Sequence, residues 1–235
     1  MKDKIVVTGN NISKSYFAKK DIETQVLKNL DVKIFSSQIT ALMGPSGVGK
    51  STLLHLLGSL DTPNSGEINL MFQNEVINYS KTKSDDLAKI RNLKIGFIFQ
   101  FSHLLPEFTS QENVMFPALI AGISAAEAKL KANKLLDLVG VSHRMEHKPA
   151  ELSGGEQQRV AIARAIINDP VIIFADEPTG NLDSKNAEAV LHLIKDLKDN
   201  FNSTFLIATH SNDVGDMADR ILVMGDGKIE QESIK

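Results

Sequence analysis

Four short apolar runs punctuate the chain: ITALMG (39–44), VIIFAD (171–176), TFLIATH (204–210) and ILVMGDGKIE (221–230). Each is rich in β-branched or aromatic residues, which predicts strands. The first three are apolar on both faces, as in a parallel sheet covered on each side. A helical pattern follows each of those three. From about 85 to 167 the apolar spacing turns mostly helical. SAAEAKLKANKLLDLVG opens with Ser124 and has Glu127 three residues on, which predicts a capping box. The pattern predicts one α/β domain over 1–235. Segments 1–84 and 168–235 form its core, and 85–167 is an inserted helical subdomain. The charged stretch KTKSDD (81–86) reads as a solvated loop.

Composition narrows the class. The 235 residues are 42% hydrophobic, carry a formal charge of −3 and contain no cysteine. Near-balanced charge argues against a strongly basic nucleic-acid binder. Without cysteine there is no disulfide framework and no thiolate chemistry. The chain opens MKDKIVVTGN without an apolar signal region, and no run approaches the roughly 18 apolar residues that span a bilayer. The expectation is a cytosolic protein without direct membrane insertion, unless a partner holds it at a membrane.

The chemistry begins at GPSGVGKST (44–52), which fits G-x-x-x-x-G-K-[ST] through Gly44, Gly49, Lys50 and Ser51. It lies between a buried strand and a helical run. The loop Gly44, Pro45, Ser46, Gly47, Val48 and Gly49 can curl around phosphates, every residue but Pro45 offering an N–H, and Thr52 continues into a helix with a positive end. Lys50 can neutralise β- and γ-phosphate oxygens, and the Ser51 hydroxyl can meet Mg²⁺. VIIFADEP delivers two carboxylates at a strand's C-terminal end, where α/β sheets bind ligands. Asp176 suits Mg²⁺ and Glu177 suits orienting or deprotonating a water. His210 ends another strand. It is either structural or a contact to the γ-phosphate, and position alone leaves both open. In LSGGEQQRVAIARAI (152–166), Ser153, Gly154 and Gly155 open a helix with a second anion-binding end. One chain has little use for two such surfaces on one nucleotide, so a head-to-tail dimer is expected.

These motifs, in this order, resemble the ATP-binding cassette family over essentially the whole chain. The resemblance implies a phosphate-loop NTPase fold with an N-terminal antiparallel β part. It also implies Gln100 as a hinge glutamine sensing Mg²⁺ and γ-phosphate, a D-loop at GNLD (180–183), His210 as the switch histidine and Tyr16 stacking on adenine. The D-loop has Gly180 and Asn181 where many cassettes have Ser-Ala. By the same resemblance two subunits sandwich two ATP molecules, with Ser153, Gly154, Gly155 and Asp183 acting in trans. Segment 101–109 would then grip transmembrane partners through Leu104, Leu105 and Phe108. The wording of GFIFQFSHLLPEFTSQENV, LLHLLGSLDTPNSGE and ADEPTGNLDSKNA is similar to ATPase subunits of bacterial lipoprotein-releasing transporters, which work at the cytoplasmic face of the inner membrane. Macrolide-exporter and cell-division ATPases form the neighbouring groups. HRMEH (143–147) fits a zinc-peptidase pattern, but it follows Gly140 and runs into Pro149, so local hydrogen bonding is expected of its histidines.

Overall fold

The computed structural model describes residues 4–18, 22–73 and 75–235. Strands β1 (Ile5–Ala18), β2 (Ile22–Phe35), β4 (Ser65–Phe72) and β5 (Glu75–Asn78) form an antiparallel sheet in the order β2-β1-β4-β5. The other six form the central sheet: β3 (Ile39–Met43), β6 (Ile95–Ile98), β7 (Ile172–Asp176), β8 (Phe205–Thr209), β9 (Arg220–Gly225) and β10 (Lys228–Ile234). Their order is β10-β9-β3-β8-β7-β6, and all but β10 run parallel.

The two-residue period of the strands sorts their side chains into two cores. Leu42, Phe174, Leu206 and Ala208 meet helix α1 (Lys50–Leu57) and the antiparallel sheet. Ala41, Ile173, Ala175, Phe205 and Ile207 face the other way, against α3 (Ser110–Ile120), α4 (Ala125–Leu138), α5 (Gly154–Ile166) and α6 (Ser184–Phe201). Phe174 and Phe205 are both fully buried, on opposite faces. Each contributes about 1.5–3 kcal/mol by leaving water.

Four expectations change. The run 221–230 is two strands: Asp226 and Gly227 adopt φ of 43° and 74°, the left-handed pair of a tight hairpin turn. Segment 85–167 starts within α2 (Ser84–Lys94) and then supplies β6, a strand of the central sheet paired with β7. Four residues, IGFI, are too short to break a helical pattern by eye, yet the sheet satisfies their backbone. The stretch 81–86 is half helical, with Asp85 and Asp86 in the first turn of α2, where carboxylates complement the helix dipole. At Ser124 only half the box forms: its hydroxyl accepts the Glu127 N–H at 3.3 Å. A full box sits at Thr109 and Glu112, heading α3.

Candidate functional site

Parallel strands point their C-terminal ends the same way, and four adjacent ones deliver the site. The phosphate loop follows β3, His210 follows β8, Asp176 and Glu177 end β7, and Gln100 lies just past β6. Residues more than 150 positions apart thereby meet on one edge.

The loop's shape depends on its glycines. Gly49 has φ 106°, and a Cβ there would lie 2.9 Å from Leu27 Cδ2. At Gly44 a Cβ would lie 2.5 Å from the Met224 carbonyl oxygen. Helix α1 starts at Gly49 with no side-chain cap and no acidic residue in its first turn. Its free N–H groups therefore suit an anion. Lys50 is buried, and its ammonium donates to the carbonyls of Gly44 (2.8 Å) and Pro45 (3.0 Å). Ser51 Oγ donates to Asp176 Oδ1 at 3.0 Å, which brings two oxygen ligands suited to a hard cation side by side.

Glu177 sits at φ 45°, an uncommon conformation for a residue with a Cβ. Such strain costs about 1–3 kcal/mol and clusters at functional sites. Its backbone N–H donates to the Ala208 carbonyl at 2.9 Å. Its carboxylate accepts from Thr209 Oγ1 (2.9 Å) and pairs with His210 Nδ1 (2.7 Å). A carboxylate only accepts, so His210 carries a proton on Nδ1 and its exposed ring leaves Nε2 toward solvent. Thr209 Oγ1 also accepts the Ser211 N–H at 3.0 Å. Sequence reading missed Thr209. Its cue was the register, which sets Asp176 beside Ala208 and so Glu177 beside Thr209. Glu177, His210 and Ser211 border an open cavity of about 620 Å³.

Gln100 and Asn181 hold each other. Gln100 Nε2 donates to Asn181 Oδ1 (3.1 Å), and Asn181 Nδ2 donates to the Gln100 main-chain carbonyl (3.2 Å). Tyr16 is exposed, and its hydroxyl donates to Asp61 at 2.9 Å. Burial first, then Asp61, raises the Tyr16 pKa above its ordinary value. The Thr52 side chain reaches the same hydroxyl, so the ring stands beside the phosphate loop.

Ser153, Gly154 and Gly155 make no hydrogen bond to the phosphate loop among the described residues. Ser153 instead heads a full capping box. Its hydroxyl accepts the Glu156 N–H (3.3 Å), and Glu156 Oε2 accepts the Ser153 N–H (2.8 Å). The Ser153 N–H, and then Arg144 at 2.8 Å, draw the Glu156 pKa down to about 2. Asp183 caps α6 by accepting the Asn186 N–H at 2.9 Å. The HRMEH histidines share no helix face: residues 142–144 form one 3₁₀ turn, and His147 Nε2 meets Arg144 at 3.1 Å.

Residues 27–180 match the ABC transporter family. The lipoprotein-releasing system ATP-binding protein LolD of Bacteroides fragilis is 49% identical over 205 residues, covering 87% of this chain and 93% of that protein. LolD of Cytophaga hutchinsonii is 50% identical over 204 residues, covering 87% and 91%. The chain belongs to the ABC transporter ATPase family. The fold agrees: the dimeric ATP-binding cassette MJ0796, in a post-hydrolysis state bound to ADP and Pi, superposes with a TM-score of 0.87 at 39% identity over 97% of this chain and 98% of that one.

This ABC ATPase carries an exposed apolar surface beside Gln100. Phe101 is 66% exposed, Leu105 43% and Phe108 37%. Leu104 is half-buried and packs on the helical side of the core. An adjoining groove of about 370 Å³ is lined by Phe97, Phe99, Pro117, Ile120 and Arg164. No helix among the described residues is long and apolar enough to cross a membrane.

Proposed function

We propose that this ATPase is the motor subunit of a bacterial lipoprotein-releasing transporter, held at the cytoplasmic face of the inner membrane by two transmembrane subunits. The observation that carries the reading is near-half identity, over almost the full length, to proteins named for that system. The apolar surface at Phe101, Leu105 and Phe108 supports it, because contiguous apolar exposure marks a partner site. A membrane partner's helix lies there and in the adjoining groove. The chain is one functional domain, its helical part spanning α3 to α5.

ATP lies on the phosphate loop, with adenine on Tyr16. Lys50 leaves the Gly44 and Pro45 carbonyls for β- and γ-phosphate oxygens, and the N–H groups of 46–52 cradle the rest. Ser51, Asp176 and Gln100 would hold Mg²⁺, whose charge would offset that of the phosphates; the Ser51–Asp176 contact, an all-oxygen donor pair, supports this. Glu177 orients the attacking water and accepts its proton as the oxygen–γ-phosphorus bond forms and the bond to ADP breaks. Thr209 and His210 fix the carboxylate. Two copies associate head to tail, so that Ser153, Gly154, Gly155 and Asp183 of one close over the nucleotide of the other.

The test is affinity capture of tagged Glu177→Gln protein from detergent-solubilised membranes with ATP and Mg²⁺, with partners identified by mass spectrometry. Paired lipoprotein-release membrane subunits are expected, and Leu105→Asp should lose them. A macrolide exporter or a cell-division membrane protein in their place would overturn the substrate assignment.

A further inference from the structure

We infer that Asn181 is a positioning residue: it fixes the polarity of the Gln100 side-chain amide so that Oε1 is the free end. The argument is one of donors and acceptors. A main-chain carbonyl only accepts, so Asn181 must turn Nδ2 toward the Gln100 carbonyl oxygen. That leaves Asn181 Oδ1 facing the Gln100 side chain. Oδ1 also only accepts, so Gln100 must present Nε2 to it, at 3.1 Å. By elimination the atom left for a ligand is Oε1, the one amide atom able to coordinate a hard cation. Without Asn181 the exposed amide could rotate by half a turn and present a donor that repels a cation.

The surroundings keep this relay in register. Gln158 Nε2 donates to the Phe99 carbonyl at 3.0 Å. Arg164 donates to the carbonyls of Ser102 (2.6 Å) and His103 (2.7 Å). The backbone carbonyl that starts the relay is thus pinned on both sides by α5. Gly180 supplies the room, since a Cβ there would lie 3.0 Å from Gln100 Nε2. The pair Gly180–Asn181 therefore works as a unit: one residue leaves space for the amide, and the other orients it.

The inference rests on Gln100 serving the Mg²⁺ site, and the test separates the two statements. In the Glu177→Gln background ATP stays intact, so its affinity can be measured with Mg²⁺ and with EDTA. Groups that orient a metal ligand are worth about 10–100-fold in metal affinity. Asn181→Leu should weaken ATP binding about 10-fold in Mg²⁺ and leave the EDTA value unchanged. Asn181→Asp should do the same, because its carboxylate would face the Gln100 carbonyl with no proton to give. Adding Asn181→Leu to Gln100→Ala should cost nothing more. An equal loss in Mg²⁺ and EDTA, or losses that multiply in the double variant, would overturn the positioning role. If Gln100→Ala itself leaves the Mg²⁺ dependence unchanged, both the assignment of Gln100 and this inference fall.

Discussion

Helices α1 and α5 both begin at glycines, Gly49 capping the first and Gly154 and Gly155 opening the second, yet their first turns are satisfied differently. At α1 the cap is Gly49, no side chain bonds the first N–H groups and no carboxylate stands nearby in sequence. At α5 Ser153 and Glu156 bond each other, and Arg144 holds the same carboxylate. The first end is open to an anion. The second already carries one of its own, leaving only the Gly154 and Gly155 N–H groups beside a negative charge. Under the proposed function the comparison gives the two helix ends different parts: α1 would bind nucleotide unaided, whereas α5 would contribute only when a partner subunit delivers the phosphates.

The largest break in this comparison is to close the open end. Gly49→Ala forces a Cβ at φ 106° against Leu27. Because removing even one preorganised anion donor costs about 10²–10³-fold in rate, hydrolysis should fall at least that far, with ATP binding lost in equilibrium titration. Next, opening the closed end should cost stability. Ser153→Ala removes a cap worth about 1 kcal/mol, so the midpoint of thermal unfolding should drop by about 2–4 °C. A smaller effect sharpens the contrast: Glu156→Gln keeps the hydrogen-bonding pattern of the box and removes its charge. In the Glu177→Gln background, dimerisation followed by analytical ultracentrifugation should then need about 2–5-fold less ATP, the scale of a charge at a helix end.

The smallest effect is in pH. The Glu156 carboxyl ionises at about 2 in the folded chain, against its ordinary 4.5. A depressed carboxyl stabilises the fold above its unfolded value, and that contribution fades as pH falls from 4.5 toward 2. In urea unfolding over that range the wild type should lose stability more steeply than Glu156→Gln. Parallel slopes would place the acid sensitivity elsewhere.

Much of the site was legible before the fold was known. Gly44 to Thr52 carry their chemistry in local sequence, because a loop that cradles phosphate needs glycines, a lysine and a hydroxyl at fixed spacing. Asp176 and Glu177 were legible because a buried strand has few reasons to end in two carboxylates. Other features were not local. The support of Glu177 by Thr209 comes from the pairing of β7 with β8. The relay from the Gln100 carbonyl through Asn181 spans 81 positions of chain. Leu104 and Leu105 are neighbours of the same type, and only packing decided that one is half-buried against the core and the other exposed. The 226–227 turn, by contrast, is local, since Asp-Gly between apolar runs is itself a hairpin signal.

By itself, then, the sequence determined the α/β pattern, the phosphate loop, the paired carboxylates and the two glycine-led helix starts. All of these follow from residue type at short range. Tertiary structure decided which strand ends stand side by side, which polar groups satisfy one another and which helix start is left open. Hydrogen bonds have direction and buried polar groups must be paired, so those choices are settled only where distant segments meet.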